Sequence, residues 1–145
     1  KGVYAIDADT HRKISAIFWG GYSNESETLD TIKCIYKDYG YVVDTHTAVG
    51  IDVYDKYVIS TGDVTKTIVA STASPFKFNT SVVRAILGED SVNGRDEFEL
   101  LELLSRESGM DIPPGLKGLD KKPIRHNTVC SKESMEEQVR KILKI

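Results

Sequence analysis

A chain of 145 residues, 40% hydrophobic and 28% charged, has the size and balance of one ordinary globular domain, which argues against a disordered or fibrous class. Nineteen basic residues against twenty-two acidic ones give a formal charge of −3 with no basic stripe, so nucleic acid is not expected as a partner. No apolar run approaches the roughly 20 residues of a bilayer span and no signal peptide opens the sequence, so no membrane contact is expected and the expected compartment is the cytoplasm.

The opening Lys1-Gly2-Val3, without a methionine, suggests that other sequence precedes it, although a processed product would look the same. From Thr10 to Phe18 the apolar positions Ile14, Ile17 and Phe18 predict a short helix with one buried face, ending at Gly20-Gly21. Asn24 with Glu27 three residues on predicts a capped second helix, whose stripe Leu29, Ile32, Ile35, Tyr36 and Tyr39 ends at Gly40. A third helix is expected from Asp44-Thr45 to Ser60-Thr61-Gly62, on the spacing Val49, Val53, Tyr57. Thr67-Ile68-Val69-Ala70 is β-branched and bounded by polar residues, which predicts a short buried strand.

Beyond it, Ser74 is a candidate cap and Pro75 a first helical position for a helix carrying Val82, Val83, Ile86 and Leu87 up to Gly88. Asp96 with Glu99 predicts another, bearing Phe98, Leu101 and Leu104 and ending at Gly109, and Pro113-Pro114-Gly115 must be loop. Ser131 opens a last amphipathic helix with Met135, Val139, Ile142 and Leu143 on its buried face. No repeat or Pro/Gly-rich linker marks a boundary, so residues 1–145 are expected to form a single piece. Cys34 and Cys130 are too isolated for a zinc site or a disulfide framework, so two free thiols and no metal are expected.

Three segments are candidates for chemistry. Val69 to Phe78 places the hydroxyls of Ser71, Thr72 and Ser74, and the cation of Lys77, beyond the carboxyl end of the expected strand, where α/β sheets keep their ligands and a helix N-terminus favours an anion. The same residues are explained if Ser74 only caps its helix while Ser71 and Thr72 satisfy turn backbone. Asp44-Thr45-His46-Thr47 gathers an acid, an imidazole and two hydroxyls suited to acid–base work, and equally to a helix cap beside a surface histidine. Arg125-His126 reads as well as a polar edge. Gly115-Leu116-Lys117-Gly118 lacks the remaining glycines of a nucleotide fingerprint, and neither a nucleophile elbow nor a metal-ligand pair occurs.

Four segments nevertheless resemble threonine synthase in order and spacing: Phe18-Trp19-Gly20-Gly21-Tyr22, Tyr39 to Val49 with Asp44-Thr45-His46-Thr47-Ala48-Val49 at its centre, Val69 to Phe78, and Lys122-Pro123-Ile124-Arg125-His126. The resemblance implies a fold-type II pyridoxal-phosphate enzyme, a lyase converting O-phospho-L-homoserine and water to L-threonine and phosphate. It implies an α/β fold class, this chain being a helix-rich C-terminal part with one or two short strands. In that family a lysine in the N-terminal half holds the cofactor as a Schiff base and a Gly- and Asn-rich loop binds its phosphate. Neither motif occurs here, so no catalytic residue is expected in this chain, its partner would be a missing N-terminal part, and alone it is expected to be inactive and to self-associate through uncovered apolar surface.

The family's cofactor-facing threonine matches Thr72, which would hydrogen-bond the pyridine nitrogen. Ser71, Ser74, Lys77, His46 and Thr47 are supporting candidates without assigned roles. The competing reading is a free-standing, non-catalytic module that binds a small anion or another protein.

Overall fold

Side-chain caps decide where most helices begin. Asp7 accepts from the Thr10 amide and opens α1, Ala8–Ser15. Asn24 and Glu27 form a reciprocal capping box at the start of α2, Glu25–Tyr39, and Asp96 with Glu99 does the same for α5, Glu97–Ser108. Asp44 caps α3, Thr45–Thr61, through the amides of His46 and Thr47. Gly40 and Gly62 close α2 and α3 at φ of 64° and 71°, a left-handed geometry that a Cβ would penalise. Ser74 and Pro75 begin a 3-10 turn, Pro75–Phe78, which runs into α4, Asn79–Leu87.

The computed structural model describes residues 2–145, which fall into two units divided between Pro114 and Gly115. In the first, α2 packs on α3 and on α4, and α4 packs on α5. Ile32 of α2, Ala48 of α3, Val82 and Val83 of α4, and Leu100 and Leu104 of α5 meet in its core, joined by Val42, Val43 and Phe76 from the connections. Asn79 ties α4 to α5 by donating from Nδ2 to the Glu97 carbonyl at 2.5 Å. The second unit holds a 3-10 turn, Leu119–Lys121, and α6, Met135–Leu143, preceded by a 3-10 turn from Lys132.

The expected α/β class is overturned: the elements of both units are helical, and no strand occurs among the described residues. Thr67 to Ala70 form no regular element and are exposed, Ile68 at 93%. A β-branched run becomes a strand only when a neighbouring segment supplies its ladder of hydrogen bonds, and among the described residues no segment pairs with this one. Its side-chain bonding is local instead, with the Thr67 hydroxyl donating to the Thr65 carbonyl at 3.0 Å, and Val69 lies near Gly50 of α3.

Two predicted buried faces are also corrected. In α1 no residue is buried, and Ile17 and Phe18 beyond its end are 78% and 70% exposed. In α6 Met135, Val139, Ile142 and Leu143 are all exposed. The periodicity marks an amphipathic face, but burial needs a partner element. Ser131 precedes the last helical segment without making a side-chain capping bond.

Candidate functional site

The Asp44 to Thr47 and Ser71 to Phe78 segments, distant in sequence, meet at the N-terminus of α3. Asp44 is wholly buried, and its carboxylate accepts from the His46 amide at 2.9 Å, the Thr47 amide at 3.3 Å and the Thr47 hydroxyl. Burial pushes this carboxyl up, but the Thr47 hydroxyl and the two amides more than offset it, so its pKa lies below the ordinary carboxylate value. Thr47 Oγ1 is also hydrogen-bonded to Ser71 Oγ at 3.0 Å, which joins α3 to the segment before the Ser74 turn.

The Ser74 hydroxyl accepts from the Phe76 amide at 3.3 Å, so it serves as the cap that the sequence suggested. Between the two anchored serines stands Thr72, exposed, and among the described residues no group hydrogen-bonds its hydroxyl. Lys77 is exposed, with Nζ 5.9 Å from the Phe78 ring centre.

The imidazole of His46 lies outside the buried network. Its Nδ1 is 3.4 Å from Asp44 Oδ1, its side chain is 68% exposed, and its ring leans on Phe78 at 4.9 Å between centres. His46 also borders a cleft of about 370 Å³, with Ser23, Glu25, Thr28, Thr45 and Ser81 among its other walls. The structure therefore joins Thr47 to Ser71, the chain neighbour of Thr72, and sets His46 beside the cleft. Arg125 and His126 belong to the second unit and are exposed.

One group of interactions has no counterpart among the sequence candidates. Lys56 Nζ lies 2.7 Å from Asp52, 3.0 Å from Glu27 and 2.9 Å from the Tyr22 carbonyl, and Ser23 donates to Asp52. The hydrogen bond to Asp52 raises the Lys56 pKa, and the partnered Asp52 is correspondingly lowered. These bonds pin the Trp19 to Ser23 stretch to α2 and α3. Trp19 stacks edgewise on Tyr57 at 5.5 Å, and Gly21 sits so close to Val53 that a Cβ would come within 3.0 Å. The i,i+4 spacing of Asp52 and Lys56 was the available sequence signal.

Among the described residues there is no cluster of three His, Cys, Asp or Glu side chains able to hold a metal, and no helix is long and apolar enough to cross a membrane. Cys34 and Cys130 are free and exposed. The family described as threonine synthase, C-terminal, matches residues 47–142. Threonine synthase of Schizosaccharomyces pombe is 37% identical over 71 residues, which cover 48% of this chain and 14% of that protein. The similarity thus spans a small part of the relative's length.

Proposed function

Because this chain belongs to the threonine synthase C-terminal family, we propose that residues 1–145 act as one piece of such an enzyme and form one wall of its cofactor site. The enzyme would convert O-phospho-L-homoserine and water to L-threonine and phosphate in the cytoplasm, as a step of threonine biosynthesis, with pyridoxal phosphate as cofactor. When bound, that cofactor supplies an electron sink for bond cleavage at the substrate carbons.

The observation that carries the reading is Thr72: an exposed hydroxyl with no partner of its own, held between two serines that are both engaged. Its single proton suits donation to a neutral pyridine nitrogen, whereas a carboxylate there would keep the ring protonated. Donor chemistry and accessibility therefore fit the cofactor. Ser71 and Ser74 set the path of the turn, Thr47 anchors it from α3, and Lys77 offers a free cation to an anionic substrate group. His46 stands on the rim with no role in this reading. The Schiff-base lysine and the phosphate-binding loop are assigned to an N-terminal part, the partner of this chain, on whose motifs no segment here matches.

The test is phosphate release from O-phospho-L-homoserine, measured for the whole protein and for the 145-residue chain alone, each with pyridoxal phosphate. Release by the whole protein only is the expected result. An inactive whole protein, or turnover by the chain alone, would contradict the proposal.

A further inference from the structure

Capping a helix does not require a buried acid. Asp7 and Asp96 cap α1 and α5 from exposed positions, yet Asp44, at the same task on α3, is wholly withdrawn from water. A buried carboxylate is tolerated only when hydrogen bonds replace its hydration, and Asp44 takes a third donor, the Thr47 hydroxyl, beyond the two amides of an ordinary cap. A hydroxyl has one proton. With that proton committed to Asp44, Thr47 Oγ1 meets Ser71 Oγ at 3.0 Å as an acceptor, so the Ser71 proton points back into the protein.

The result is a directed chain from carboxylate to Thr47 to Ser71, ending one residue before Thr72. The segment it reaches lacks ladder or helix bonds from residue 63 to residue 73, so this link and the Ser74 cap are what fix its end. We propose that Asp44 is a positioning residue: through Thr47 and Ser71 it holds the Thr72 hydroxyl at the cofactor's ring nitrogen. This rests on the reading of Thr72 given above.

The test uses the whole synthase loaded with pyridoxal phosphate and four variants: Thr72→Val, Thr47→Val, Thr47→Ser and the double Thr47→Val/Thr72→Val. Thr47→Val should lower kcat by roughly 10- to 100-fold, the scale of a misplaced catalytic contact. It should shift the cofactor's absorption in the same direction as Thr72→Val, with KM little changed. Thr47→Ser, which keeps the hydroxyl, should restore both. The double variant should be no slower than Thr72→Val alone, because Thr47 acts through Thr72; a purely structural role would make the two losses multiply.

Thr47→Val with wild-type kcat and spectrum, multiplicative losses, or failure of Thr47→Ser to rescue would each overturn the positioning role. If Thr72→Val shifts the spectrum and Thr47→Val does not, only the positioning role falls. If Thr72→Val itself changes nothing, the reading of Thr72 falls and takes this role with it. Where Thr47→Val does not fold, Ser71→Ala removes the same link from an exposed position and is expected to give the same spectral shift; an unshifted spectrum in that variant overturns the role.

Discussion

Asp63 ends the turn after α3, and its carboxylate accepts from the Tyr57 hydroxyl at 2.6 Å and the Thr65 amide at 2.9 Å. Bonding from Thr65 and then Tyr57 lowers its pKa from 3.8 to about 2. A carboxyl depressed in the folded state stabilises the protein above its unfolded pKa, and that contribution is lost as pH falls from 3.8 through about 2. Urea titrations at pH 5 and at pH 2.5 should therefore show a smaller acid-induced loss of stability in Asp63→Asn than in the parent. An equal loss would mean that Asp63 is not specially held. Gly21→Ala should cost about 1 to 3 kcal/mol by overpacking Val53 and Trp19, read by denaturation and by tryptophan fluorescence. In the sequence Asp63 is one polar residue among several in a loop, and Gly21 one of a pair. Only the fold shows that one holds a turn and the other lets two side chains close on α3.

At the scale of elements, local chemistry was highly legible. Asn24 with Glu27, Asp96 with Glu99, and Ser74 before Pro75 are readable as caps because their partners lie two or three residues away, and each makes the expected bond. Asn24→Ala should cost about 1 kcal/mol as a lost cap, measurable by thermal melting. Leu104→Ala, at the centre of α5 and buried, should cost about 2 to 5 kcal/mol in the same assay. What the sequence did not show was non-local. Thr67 to Ala70 carry strand-like residues, but a ladder depends on a second chain segment that no local pattern reveals. The faces of α1 and α6 are amphipathic by spacing, yet which element would cover them is written elsewhere. The site divides the same way. Thr72, Ser71 and Thr47 were readable as candidates, while the hydrogen bond that links α3 to the turn spans 24 residues and required the fold.

For the whole molecule, many large apolar side chains stand in solvent. Val3, Tyr4, Ile17, Phe18, Tyr22, Val64 and Ile68 of the first unit are all exposed. Such surface favours association, so the isolated 145-residue chain should sediment as oligomers at high concentration and bind a hydrophobic dye. A clean monomer without dye binding would contradict that expectation. The proposed hydrogen bond from Thr72 to the cofactor is read from the chemical shift of the pyridine nitrogen in whole synthase loaded with ¹⁵N-labelled pyridoxal phosphate. A neutral, hydrogen-bonded nitrogen is expected in the parent, moving to the unbonded position in Thr72→Val. A protonated nitrogen in the parent, or a signal that Thr72→Val leaves in place, would contradict it.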